Sequence, residues 1–223
     1  MFNHVDHGIV LPKITRKTTE AGRKYFTPEG MAYPSITTVC SILSKDSIIK
    51  WRKRVGEEEA NKVSSQASAR GTAVHKLAED YIDNVPTWND GYMPHHLYSF
   101  SHLKDILDQH LDNIWFQESY LYSDRLECAG QVDCIAEWDG VLSIVDFKTS
   151  RKPKKKEWIT NYFIQSSFYS AAFYERTGVP ITQAVIPITV DHEEPQVFKI
   201  KTHDYLPQFL DVRQKYRELK EHA

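Results

Sequence analysis

The chain has 223 residues, 41% of them hydrophobic, and a formal net charge of −2. It is long enough to bury a sizeable core and too nearly neutral to draw nucleic acid through its overall field. The three cysteines, Cys40, Cys128 and Cys134, form no C-x-x-C pair and exclude a four-cysteine zinc site or iron–sulfur cluster, so free thiols in a reducing setting are expected. No apolar run approaches the ~20 residues that cross a bilayer, and no basic region precedes an apolar signal core at the N-terminus. The expectation is a soluble, unprocessed, cytoplasmic protein without a membrane partner.

Residues 1–34 are polar and irregular, with strand-like pieces around Lys24 to Thr27, and are expected to form an N-terminal extension to a single domain over 35–223. Ser35 or Thr37 can cap a helix over Ile36 to Leu43, where Val39, Ile42 and Leu43 fall at helical spacing. A second helix is predicted over 46–62, with Trp51 and Val55 on one face. A third is predicted from Ser64 to Asp83 on the stripe Val74, Leu77, Ala78, Tyr81 and Ile82. His75 and Glu79 share a face of this helix. A helical histidine is usually a partly exposed structural residue, but a neutral imidazole beside aspartates can complete a mixed nitrogen and oxygen site for Mn²⁺ or Mg²⁺. Gly71 would let this helix approach another segment closely. The linker that follows leads into Tyr92, His95, His96, Tyr98 and Phe100, read as a loop whose rings could stack on unpaired bases.

A helix over 101–113 and a strand over 114–122 containing Glu118 come next, and then the most informative stretch, 129–148. Val132, Ile135 and Ala136 lie on one strand, Asp139-Gly140 makes a tight turn, and Val141, Leu142, Ile144 and Val145 form the return strand. Asp133 and Asp146 then fall near one end of neighbouring strands. Asp146 and Lys148 share a face, while Phe147 points to the other. Such charges often decorate a solvated strand face. Here Asp146 follows an apolar run in which an unpaired charge would be costly, and two carboxylates with a lysine suit metal-assisted attack on phosphate. Lys148, Arg151, Lys152, Lys154, Lys155 and Lys156 cluster directly afterwards, either as a solvated loop or as a cradle for a nucleic-acid backbone. A helix over 157–176 puts Gln165 and Tyr169 on one face, where they either bridge helix to sheet or hold a phosphate or Lys148. Gly178-Val179-Pro180 closes it, and strands over 182–190 and 196–201 and a helix over 206–220 complete the chain. A mixed α/β fold around a small central sheet follows.

Taken together, Gly71-Thr-Ala-Val-His75, Glu118, Gly130-Gln-Val-Asp133, Asp146-Phe-Lys148 and Gln165-Ser-Ser-Phe-Tyr169 resemble the RecB-type branch of the PD-(D/E)XK nuclease superfamily. Within it they are most similar to mitochondrial and phage exonucleases. The likeness also takes in Tyr33-Pro-Ser-Ile-Thr37 and the Trp51 region, and covers roughly residues 30 to 220. It implies a restriction-endonuclease-like αβββαβ core with a central mixed sheet and an N-terminal helical extension. His75, Asp133 and Asp146 match the family's metal ligands, with the Phe147 carbonyl as a further one. Lys148 matches its catalytic lysine, Glu118 its acidic residue on the preceding strand, and Gln165 and Tyr169 its Q-x-x-x-Y motif.

The implied activity is Mg²⁺- or Mn²⁺-dependent hydrolysis of DNA, single-stranded and from an end, in replication, repair or recombination. Ser35, Thr37, Arg70, Lys152, Lys154, Lys155 and Lys156 are the expected DNA-binding residues. A monomer is expected, with a helicase or single-strand-binding protein acting in trans, in a bacterial or phage-infected cell. The rival readings are an endonuclease of the same fold and a non-catalytic nucleic-acid-binding recombination partner.

Overall fold

A computed structural model describes residues 1–19 and 22–221. The first segment is more ordered than its polar composition suggests. Strands β1 (Thr15–Thr19), β2 (Gly22–Phe26) and β3 (Ala32–Pro34) form a small antiparallel sheet. Its Tyr25 and Tyr33 pack with Ile14 against Tyr122 and Ala129 of the main sheet. Helix α1 (Ile36–Cys40) is capped by Ser35, whose hydroxyl accepts the Thr38 N–H at 3.0 Å, and runs into a 3-10 turn over Ser41–Leu43.

Helices α2 (Lys45–Val55) and α3 (Glu57–Ile82) divide at Gly56, where φ is +88° and ψ 152°. That conformation is accessible essentially only to glycine, so the boundary expected near residue 62 falls at Gly56 instead. Glu57, Glu58 and Glu59 then occupy the first turn of α3, where the helix dipole favours acidic side chains. Helix α4 (Pro94–His110) starts on a proline, which the first helical position tolerates because its missing N–H would have no intrahelical partner. The expected base-stacking loop is therefore mostly helix, and Phe100 is fully buried in the core rather than offered to a ligand.

The main sheet comprises β4 (Leu111–Ser123), β5 (Cys128–Trp138), β6 (Val141–Val145), β7 (Lys148–Ser150), β8 (Gln183–Val190) and β9 (Gln196–Lys201). Strands β4, β5 and β6 run antiparallel, β6 and β7 both pair parallel with β8, and β9 pairs antiparallel with β8. The mixed central sheet is as expected. Asp139 and Gly140 both take positive φ, +52° and +76°, as a two-residue hairpin turn of type I′ requires.

Ser143 pairs with Gln183 and Lys148 with Ile188, an unchanged register, so β6 and β7 are one strand interrupted at Asp146 and Phe147. The cause lies in β8. The Asp146 N–H donates to the Val185 carbonyl at 3.0 Å, and parallel pairing would return the N–H of residue 187 to the Asp146 carbonyl. Residue 187 is proline and has none.

Helices α1, α5 (Thr160–Thr177) and α6 (Leu206–Glu221) cover one face of the sheet through Val39, Phe168, Phe173 and Phe209. Helices α3 and α4 cover the other through Val74, Leu77, Leu103 and Leu107. Burial on both faces explains why β5 and β8 read as nearly continuous apolar runs rather than alternating ones.

Candidate active site

The β5–β6 register carried one step past the pair Cys134 and Val145 sets Asp133 opposite Asp146, and the β4–β5 register sets Glu118 opposite Asp133. Three carboxylates thus lie side by side across three neighbouring strands. Glu118 has a φ of +46°, an uncommon conformation for a residue with a side chain and a cost that clusters at functional sites. Its carboxylate and carbonyl accept the Gln131 amide at 2.8 and 3.1 Å.

Asp133 accepts the Phe147 N–H at 2.8 Å, so the opened strand supplies a backbone donor to the neighbouring carboxylate. On its other side stands His75 of α3, with Nδ1 3.5 Å from the Asp133 carboxylate. Asp146 is fully buried and pairs with the Lys148 ammonium. Its second oxygen accepts the Gln165 amide at 3.0 Å; the same amide reaches the Tyr169 hydroxyl at 3.2 Å, and that hydroxyl donates to the Gln131 carbonyl at 2.7 Å. Gln165 therefore fixes Asp146, and Lys148 only through it, rather than holding Lys148 directly.

Electrostatics follow from crowding of like charge in a place of little water. Burial, and then Asp133 beside it, push the Glu118 carboxyl up to about 7. Burial also pushes Asp146 up to about 6, against the pull of the Lys148 ammonium. For Asp133 the burial penalty is outweighed by His75, Lys148 and the Phe147 N–H, which hold its carboxyl below the usual range. Burial opposes the charged forms of His75 and Lys148, yet the aspartates raise both.

His75, Glu118 and Asp133 each offer a donor atom, and these lie within 4.8 Å of one another. One imidazole nitrogen and two carboxylates, with Asp146 adjacent, fit a divalent cation such as Mg²⁺ or Mn²⁺. Two of the four expected ligands, His75 and Asp133, belong to this convergent set. Asp146 stands next to it, engaged by Gln165 and Lys148.

A cavity of about 800 Å³ opens over these groups; His75, Glu118, Asp133, Lys148, Gln165 and Tyr169 line it. Of the expected DNA-binding residues, Ser35 and Thr37 also line it. Arg70 is turned to Asp191 at 2.8 Å and to Thr149, and Lys152, Lys155 and Lys156 lie exposed in the segment after β7. The basic lining comes instead from Arg16 and Arg23 of the small sheet and Lys76 of α3. Arg16 and Arg23 were missed because nothing in the pattern of β1 and β2 shows that these strands pack near β5. The close approach expected at Gly71 is an ordinary one, since a β-carbon built there would stand 4.0 Å from the Thr149 hydroxyl, whereas Gly130 is the position where a side chain would collide.

No family model matches the sequence. Mitochondrial genome maintenance exonuclease 1 of Homo sapiens is 28% identical over 152 residues, covering 60% of this chain and 40% of the human protein. The relationship supports a PD-(D/E)XK-like nuclease. The same exonuclease of Mus musculus is 27% identical over 109 residues, covering 47% of this chain and 32% of the relative. That of Xenopus tropicalis is 29% identical over 117 residues, covering 47% and 31%. The matches thus span well under half the length of these relatives. A solved structure from Eubacterium rectale overlaps 68% of this chain and 65% of its own at 14% identity and a TM-score of 0.43, too loose a likeness to add to this. No described helix is long and apolar enough to cross a membrane.

Proposed function

We propose that the protein is a metal-dependent DNA exonuclease that hydrolyses phosphodiester bonds in single strands from an end. The observation that carries the reading is the row of Glu118, Asp133 and Asp146 across neighbouring strands, with His75 at one side and Lys148 paired to the innermost acid. The relatives named exonucleases support the same chemistry.

In this reading His75, Glu118 and Asp133 hold Mg²⁺ or Mn²⁺, with Asp146 and the Phe147 carbonyl as further ligands. A cation there supplies a Lewis acid for the scissile phosphate and lowers the pKa of a water. Lys148 orients the attacking water and offsets negative charge that grows on the phosphoryl oxygens, an interaction strengthened by burial. Gln165 and Tyr169 keep Asp146 in place, and Asp146 keeps Lys148 in place. Lys148→Ala is expected to lower the cleavage rate roughly 10²-fold or more.

The test is incubation, with Mg²⁺, of DNA labelled at either end, presented as linear single strand, duplex and circular single strand. Loss of the linear strand with the circle intact is the expected result. Digestion of the circle would make the enzyme an endonuclease, and binding without turnover in any metal would make it a non-catalytic partner.

A further inference from the structure

A second cavity, of about 460 Å³, adjoins the first, and Ser44, Asn161 and Tyr162 line both. Trp158 lines its outer part. That side chain is 62% exposed, while the other tryptophans, Trp51, Trp88, Trp115 and Trp138, are half-buried or buried. An indole left so open in a short 3-10 turn, Lys156–Trp158, keeps one ring face available for contact with a flat partner. Its neighbours are cations. The Lys155 ammonium stands over the ring, 5.2 Å from its centroid, and Lys154 and Lys215 line the same cavity.

The arrangement continues inward. Tyr162, Gln165 and Tyr169 are stepped along one side of α5 at helical spacing, and Trp158 sits in the turn just before that helix. The Lys148 ammonium lies 5.2 Å from the centroid of the Tyr162 ring. A track of aromatic rings with ammonium groups beside them therefore runs from the surface to the carboxylates. Glu157 and Asp211 also line the outer cavity, so its field is mixed and charge alone would hold a polyanion weakly there. A flat π surface next to ammonium groups suits an unpaired base with its phosphate, because stacking tolerates any base and a paired base cannot offer its face.

We infer that the Trp158 cavity is a stacking subsite for an unpaired nucleotide of a DNA strand whose neighbouring segment lies in the main cleft. The inference rests on the nuclease reading for the identity of the strand. It would favour single strands through their bases, where that reading rests on the carboxylates and Lys148.

The test is binding of an oligothymidylate long enough to cross both cavities, measured in EDTA, so that no cleavage occurs, by tryptophan fluorescence and by anisotropy of a labelled strand. The intact protein should show quenching that saturates with the strand. Trp158→Ala should lose the quenching and bind about tenfold more weakly, the range found for one base stacked on an aromatic side chain. Trp158→Phe should restore most of the affinity without the quenching. An abasic strand of the same length and charge should bind the intact protein about as weakly as the oligothymidylate binds Trp158→Ala. Equal affinity of Trp158→Ala and the intact protein, or of the abasic strand and the oligothymidylate, would overturn the subsite.

The nuclease reading fails separately. A protein that shows Trp158-dependent quenching but never cleaves with Mg²⁺ keeps the subsite and loses the nuclease. One that cleaves while Trp158 is indifferent keeps the nuclease and loses the subsite.

Discussion

A β-carbon built on Gly130 would stand 2.7 Å from Tyr169 Cε1 and 2.8 Å from Ile36 Cγ2, closer than packed carbon atoms approach. The residue that opens the Gly130-Gln-Val-Asp133 motif is thus a spacer: its bare Cα lets the Tyr169 ring lie across β5 and reach the Gln131 carbonyl. Gly130→Ala should lower unfolding stability by about 1–3 kcal/mol and displace Tyr169, with chemical denaturation as the check. An alanine variant as stable as the parent would contradict this packing. Tyr169→Phe removes the hydroxyl that accepts from Gln165 and donates to the Gln131 carbonyl, at a cost of about 1–3 kcal/mol for the polar groups left unpaired. Its cleavage rate should fall as well, because Gln165, which holds Asp146, loses its anchor. Unchanged stability and rate together would remove the hydrogen-bonded chain from the account.

At this scale the sequence already indicated Asp133, Asp146 and Lys148, because alternation along a strand dictates which side chains share a face. It could not indicate the partner of Gln165, since the spacing of residues 165 and 169 is silent about which carboxylate the opened strand brings opposite. Nor could it show that Glu118 would converge with His75 and Asp133, because that depends on β4 lying beside β5.

At the level of elements, turn and cap chemistry accounts for both the successes and the misses. Asp139-Gly140 and Gly178 ended their elements where expected. Gly56 went unread inside a run of helix-forming residues, and its φ of +88° separates α2 from α3. Gly56→Ala should cost about 1 kcal/mol or more, since no alanine adopts that conformation without strain. Thermal unfolding measures it, and a neutral or stabilising result would mean that the two helices can merge. His95, His96, Tyr98 and Phe100, expected in a loop, lie in α4 instead, because Pro94 at the first helical position starts a helix rather than ending one. The interruption between β6 and β7 needed knowledge of β8, since only the parallel pairing makes Pro187 the missing donor.

Across the whole molecule, two apolar layers bury the sheet, and the three cysteines are free and buried. Burial pushes the Cys40 thiol up to about 12 and raises those of Cys128 and Cys134 further. No thiol should therefore react with a disulfide reagent at neutral pH until the protein unfolds, when all should react. Fast labelling of the native protein would show that the core opens readily. The same layering delivers His75 from one face of the sheet and Gln165 from the other, with the carboxylates between them.

That convergence is the central claim, and metal-dependent cleavage of end-labelled linear single-stranded DNA by the intact protein and by Asp146→Ala tests it most directly. Cleavage that requires Mg²⁺ or Mn²⁺, stops with EDTA and disappears in Asp146→Ala while DNA binding persists is the predicted result. Cleavage that survives either EDTA or the loss of Asp146 would contradict it.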